Sequence, residues 1–77
     1  MLVPDKKTVE KLRNEFPKGT RVKLLCMDDV QAPPVGTQGT VLGVDDIGSL
    51  LVRWDNGSGL HVLFGVDLVS KVEKYGD

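Results

Sequence analysis

Two pairs of neighbouring aspartates are the residues of this sequence with the clearest capacity for chemistry. They are Asp28-Asp29 and Asp45-Asp46, and both fall in predicted loops. Loop carboxylates and backbone carbonyls are the ligands that calcium takes. The chain lacks the spaced Asp-x-Asp-x-Asp-Gly run of a dedicated calcium loop, and aspartates also favour turns by bonding their own backbone amides. We therefore prefer the turn-forming interpretation and expect no metal and no other cofactor.

The single cysteine and the single histidine, Cys26 and His61, are the next candidates for chemistry. A zinc site needs four ligands, which this pair alone cannot supply. Alternation along the predicted strands places Cys26 inside and His61 outside, so the two cannot meet within hydrogen-bond range as nucleophile and base. The chain also lacks a glycine-rich phosphate loop. We expect no catalytic residues and predict that the protein is not an enzyme.

Length and composition predict one globular domain over residues 1–77. The chain has 77 residues, of which 40% are hydrophobic and 27% charged, an ordinary globular balance. One cysteine cannot form an intrachain disulfide and fits a reducing compartment. No stretch approaches the roughly 20 apolar residues that span a bilayer, and the start does not resemble a signal peptide. We expect a cytoplasmic protein without membrane contact.

The front of the chain has the pattern of a short amphipathic helix over about residues 5–16. Val9, Leu12 and Phe16 recur at spacings of three and four, which places them on one helix face. Asp5 is suited to cap the first turn, and Pro17 disfavours helical geometry at the residue before it. A helix this short is not stable alone, so its apolar face must pack against the rest of the domain.

The pattern after Gly19 changes to strand-like alternation. Strands are predicted at about 20–27, 38–44, 49–55, 60–64 and 68–72, with a long first loop at 28–36 and a hairpin turn at Asn56-Gly57. Six side chains are predicted to fill the interior: Leu50, Val52, Trp54, Leu60, Val62 and Phe64. The chain is therefore predicted to be mainly β, a small five-stranded SH3-like barrel over about 19–73 preceded by one N-terminal α-helix. Residues 74–77 are predicted to be a frayed tail.

Seven short segments distributed along the chain form a specific combination. They are GTRV at 19–22, MDD at 27–29, APP at 32–34, GTQGTV at 36–41, VDDIG at 44–48, VRWDNGS at 52–58 and GVD at 65–67. Together they resemble a bacterial family known as domain of unknown function 4314. Val30 stands where the family's Met-Asp-Asp-Pro pattern has a proline. The resemblance implies a small SH3-like β-barrel in the bacterial cytoplasm, and it implies no activity, cofactor or ligand.

Apolar residues predicted on the outside of the sheet indicate a binding surface. Leu25, Leu51 and Leu63 exceed what a solvated sheet face needs, and a contiguous apolar patch marks a contact site. Our first hypothesis is a non-enzymatic module that binds a protein or peptide, or a second copy, through the first-loop end or this outer face. The acidic groups at the first-loop end favour a basic partner. The candidate residues are Met27, Asp28, Asp29, Val30, Asp45, Asp46, Leu51 and Leu63.

Basic residues near the start of the chain support a second hypothesis, a weak nucleic-acid-binding domain. Lys6, Lys7, Lys11 and Arg13 lie on or beside the predicted helix, and such clusters are the electrostatic footprint of nucleic-acid binders. However, the isoelectric point is about 5.7, and the few aromatic residues are predicted mostly inward, where they cannot stack on bases. The sequence leaves open the partner, the oligomeric state and the biological process.

Overall fold

The computed structural model describes residues 4–72 as one helix and one antiparallel sheet. The helix is α1 (Lys6–Glu15), and the strands are β1 (Arg21–Cys26), β2 (Gln38–Val44), β3 (Leu50–Trp54) and β4 (Leu68–Lys71). The strand order is β3-β2-β1-β4. The prediction of a mainly β fold with one N-terminal helix is confirmed. The tail predicted at 74–77 lies outside the described residues.

Helix α1 begins and ends where the sequence predicts. The Asp5 carboxylate accepts the backbone N–H of Thr8 at 2.8 Å, and this bond lowers the pKa of Asp5. Phe16 caps the other end through its backbone N–H, which donates to the Leu12 carbonyl at 2.8 Å. Val9 and Phe16 are buried, and Leu12 packs against the core. No helix among the residues described is long and apolar enough to cross a membrane.

The core lies between α1 and the inner face of the sheet. Trp54 is its largest fully buried side chain, at 1% exposure. Gly39 of β2 permits this packing, because a Cβ there would lie 2.7 Å from a Val52 methyl and 2.9 Å from the indole. Leu50, Val52 and Trp54 are all buried on β3, so the alternation predicted for this strand is confirmed.

The fifth predicted strand, at residues 60–64, does not form. Leu50 and Val62 exchange two backbone hydrogen bonds of 2.9 Å, but they form only an isolated bridge. The Leu60 carbonyl accepts the indole N–H of Trp54 at 2.8 Å. Within residues 4–72, no backbone hydrogen bond joins Leu60 to β3. The domain therefore has four strands in its described residues, and the prediction of five was wrong.

The sheet also remains open, contrary to the predicted barrel. Within residues 4–72, β3 and β4 lie at opposite edges and do not pair with each other. The chain turns between Leu63 and Asp67, where the Leu63 carbonyl accepts the Asp67 amide at 3.0 Å. This turn uses residues that a fifth strand would need. As a result Phe64, predicted inside, is 39% exposed, and Leu60 is only half-buried.

Bulges interrupt the alternation in two strands. The pairing of β1 with β4 shifts between Leu24 and Cys26, and an extra residue in one strand breaks the period of two. Leu24 is buried, whereas Leu25 and Cys26 are both exposed. The predicted inward position of Cys26 was therefore wrong. A second bulge lies between Val41 and Gly43 in β2.

The turn predicted at Asn56-Gly57 is present, with a longer loop than a two-residue hairpin. The Trp54 carbonyl accepts the Gly57 amide at 3.0 Å, and the Trp54 amide donates to the Ser58 carbonyl at 3.1 Å. Gly57 has a φ of +92°, and no non-glycine residue in the described range has a positive φ. Three residues therefore form the loop, a known arrangement in which a left-handed glycine follows the turn.

Candidate functional site

The loop between β1 and β2 presents two acidic side chains on a fixed base. Leu24 anchors the returning chain, because its carbonyl accepts the Gly36 amide at 2.8 Å. Near the other end, one carboxylate oxygen of Asp29 accepts the Gln31 amide at 2.7 Å. Within residues 4–72, no hydrogen bond or ion pair engages the Asp28 carboxylate. The loop therefore holds Asp28, and the second oxygen of Asp29, toward solvent.

A tight turn before β4 exposes a series of apolar side chains, which we term the apolar ridge. The ridge comprises Leu63, Phe64, Val66 and Leu68, exposed by 45%, 39%, 66% and 60%. The turn is closed by Asp67, whose carboxylate accepts the Leu63 amide at 2.8 Å. Backbone and side-chain bonds thus fix the turn, and the ridge side chains extend outward from it.

Two grooves flank the apolar ridge. The loop groove, of about 260 Å³, lies between residues 27–29 of the first loop and the segment 60–67. The helix groove, of about 230 Å³, lies between the apolar face of α1 and the ridge. Leu63 and Asp67 line both grooves. The ridge is therefore the common wall of two concave surfaces.

The structure brings half of the predicted site residues together. Met27, Asp28, Asp29 and Leu63 all line the loop groove. Val30 follows them along the chain but is fully exposed and lines neither groove. The loop groove thus combines Met27, Asp28 and Asp29, predicted at the first-loop end, with Leu63, predicted on the outer face.

The second aspartate pair lies at the turn between β2 and β3 and lines neither groove. One carboxylate oxygen of Asp45 accepts the backbone N–H groups of Ile47 at 3.1 Å and Ser49 at 2.8 Å. Asp46 accepts a hydrogen bond of 2.9 Å from Arg13 on α1. These two aspartates close the turn and join the helix to it.

Leu25 and Leu51 do not form a common patch on the outer face of the sheet. Leu51 is half-buried opposite Gly43, whereas Leu25 lies at the far end of β1. Arg21 lies between these ends and donates hydrogen bonds to the Asp55 carboxylate, one of them 2.9 Å long. This contact lowers the pKa of Asp55 and raises that of Arg21. The middle of the outer face is therefore polar.

Three of the four ridge residues were missed by the sequence-based prediction. Phe64 was predicted inside, Leu68 was predicted in the last strand, and Val66 was noted only as part of the GVD segment at 65–67; none was given a binding role. The error follows from extending the alternation through residues 60–64. A usable signal was present: Gly65 with Asp67 two residues later can close a turn, and four large apolar residues surround that turn.

The groups available for catalysis or metal binding are sparse in the part of the chain that the structure describes. Within it, no three of the His, Cys, Asp and Glu side chains are grouped so that they could hold a metal ion. Cys26 and His61 are both exposed, and no hydrogen bond joins them across residues 4–72. What the site offers is apolar contact area beside carboxylate charge.

Fold and site together define a small mainly β domain with one N-terminal helix and an apolar ridge between two grooves. Residues 5–72 match the family described as Domain of unknown function (DUF4314), and the chain belongs to this family. The match spans α1 and all four strands, which confirms the family resemblance seen in the sequence. Searches among curated proteins and among solved structures found no match.

Proposed function

We propose that this domain is a non-enzymatic interaction module that binds an extended segment of another protein along the apolar ridge and its two grooves. The observation that carries the proposal is the ridge itself. Four large apolar side chains within six residues extend into solvent from a turn closed by hydrogen bonds. A contiguous exposed apolar surface marks a contact site. We also place the module in the bacterial cytoplasm, since the exposed Cys26 fits a reducing compartment.

The energy available from the ridge indicates weak binding. Burying a large apolar side chain completely stabilises by about 1.5–3 kcal/mol, and the ridge side chains are already about half covered. Each therefore contributes about 1 kcal/mol when a partner covers it. Association costs at least about 4 kcal/mol in lost freedom. Contacts in the adjoining grooves must supply the remaining affinity and the specificity.

The alternative of nucleic-acid binding has less support from the basic residues. Lys6, Lys7 and Lys11 are exposed on α1. Arg13 and Arg21, by contrast, are engaged by Asp46 and Asp55. Binding to phosphates weakens steeply as salt rises, whereas contact through apolar burial changes little. A salt titration of any complex separates the two functions.

A displayed library of random peptides, selected on the purified domain, tests the proposal. The critical variant is Val66→Ser combined with Leu68→Ser, which makes two exposed ridge positions polar. We expect selected peptides to share an apolar residue and to lose binding at least about tenfold to this variant. Val35→Ser is the matched control, because Val35 is 71% exposed and lines neither groove.

Three outcomes contradict the proposal. In the first, no peptide is enriched on the domain, and in the second the enriched peptides bind the ridge variant as tightly as the wild type. The third is a dimer in gel filtration that the ridge variant abolishes, because a second copy would then occupy the ridge.

A further inference from the structure

The loop groove carries carboxylates that take part in no ion pair within residues 4–72. Asp28, Asp29 and Asp67 line it together with His61, and its lining among residues 4–72 includes no lysine or arginine. Within residues 4–72, the two ion pairs join Arg13 to Asp46 and Arg21 to Asp55. Both arginines are therefore engaged outside the groove.

Only part of this carboxylate surface takes part in folding. Asp67 uses one oxygen to close the ridge turn, and Asp29 uses one oxygen for the Gln31 amide. The second oxygen of each, and both oxygens of Asp28, have no hydrogen-bond partner among residues 4–72. A ligand can bond these oxygens without breaking any contact that the fold uses.

The walls of the loop groove are apolar beside these carboxylates. Met27 is half-buried on one wall, and Leu63 and Val66 of the ridge form the other. Lysine and arginine match such a surface, because they lay an aliphatic stem along apolar groups while the charged head stays at a polar rim. An acidic or phosphorylated segment would face like charge, which disfavours it.

We propose that the partner segment is basic: an apolar residue covers the ridge, and an adjacent lysine or arginine lies in the loop groove with its charge at Asp28 and Asp29. This inference rests on the proposed function and adds the chemistry of the partner. The carboxylates distinguish a basic segment from other segments, whereas the ridge binds the apolar residue of any segment. Because the ion pairs are exposed, their contribution decreases as salt rises.

Three sets of short synthetic peptides test the inference. Each set carries a central leucine, isoleucine or phenylalanine, flanked by lysine or arginine, by glutamate, or by serine. We expect the basic set to bind about fivefold tighter than the serine set at low salt, as two exposed ion pairs allow. The glutamate set should bind most weakly, and the differences should shrink at high salt.

The double variant Asp28→Asn with Asp29→Asn identifies the groups responsible. Asparagine keeps a side-chain oxygen for the Gln31 amide, so the loop retains its hydrogen bond. We expect this variant to bind the basic and serine sets equally. The control is Glu10→Gln with Glu15→Gln, which changes net charge equally at two exposed helix positions. It should preserve the basic preference.

The outcomes separate this inference from the proposed function. If all three sets bind equally, and all lose binding to the Val66→Ser, Leu68→Ser variant, the ridge binds peptides and the basic preference is refuted. The basic preference is also refuted if the helix control removes it as fully as the loop variant does. If no set binds and no library peptide is enriched, both proposals fail.

Discussion

The β1–β2 loop and the β2–β3 turn each contain two neighbouring aspartates, yet the structure uses the two pairs differently. Asp45 and Asp46 bond backbone amides and Arg13, so they take part in folding. Asp28 and Asp29 leave most of their oxygens toward solvent beside the apolar ridge. The same dipeptide therefore supports the fold at one site and remains available for a partner at the other. Alanine substitutions test this difference directly, and two further predictions concern the turn glycines and the Arg21–Asp55 pair.

The largest expected effect concerns the glycines of the β2–β3 turn and the ridge turn. Gly48 and Gly65 have φ values of +82° and +76°, but only at Gly48 would a Cβ meet a close neighbour, 2.6 Å from the Cγ of Pro4. We expect Gly48→Ala to lower the free energy of unfolding by about 2–3 kcal/mol, through backbone strain and overpacking. Gly65→Ala should lower it by about 1 kcal/mol, through backbone strain alone. Urea denaturation of both variants measures these losses.

Equal losses for the two glycine variants would show that the β2–β3 turn is no more tightly packed than the ridge turn. That result would show that the close approach of a Gly48 Cβ to Pro4 does not destabilise the fold. A greater loss at Gly65 would show that the ridge turn is the more sensitive of the two.

Alanine substitutions at the aspartates are expected to have intermediate effects. Asp45→Ala leaves the amides of Ile47 and Ser49 without their acceptor, and Ser49 is buried. We expect a loss of about 1–2 kcal/mol in the free energy of unfolding. Asp28→Ala should change it by less than about 0.5 kcal/mol, as for other exposed residues. Thermal and urea unfolding compare the two, and a loss at Asp28 as large as that at Asp45 would contradict a binding role for the first pair.

The smallest expected effect is a pH dependence of stability from an exposed ion pair. Hydrogen bonds from Arg21 lower the pKa of Asp55 in the folded state below its ordinary value of 3.8. The resulting stabilisation is present above that ordinary value and is lost as pH falls through the lower, folded pKa. We expect the free energy of unfolding to decrease below about pH 4, and less steeply in Asp55→Asn.

Arg21→Gln is the matched variant for this acid titration, since it removes the partner and keeps the Asp55 carboxyl group. It should flatten the same part of the stability profile. An unchanged acid slope in both variants would show that this pair does not contribute to the dependence of stability on pH.

Much of the fold was accessible from the sequence, because local rules determine it. The apolar spacing of Val9, Leu12 and Phe16 predicted α1, and the alternation in β3 predicted which side chains are buried. The errors occurred where non-local contacts prevail. Apart from one bridge to β3, residues 60–64 bond the Trp54 indole and the turn before β4 rather than a strand, and the pairing of β1 with β4 shifts at the Leu24–Cys26 bulge.

The candidate site was less predictable than the fold. Residue types alone marked Met27, Asp28, Asp29 and Leu63, and the structure places these four around one groove. Residue types also marked Asp45 and Asp46, but their carboxylates accept hydrogen bonds from backbone amides and from Arg13. Nothing in the order of residues shows that Arg13, distant along the chain, lies beside Asp46.

By itself, the sequence determined the family, the helix, the positions of four of the five strands it predicts, and the presence of two acidic loops. These features depend on periodicity, on capping residues and on turn-forming residues, all of which act between near neighbours in the chain. Only the tertiary structure decided which aspartate pair is left open and which apolar residues form a ridge. Those outcomes depend on contacts between distant segments, because a carboxylate or an apolar side chain is available to a partner only when no other part of the fold has already covered it.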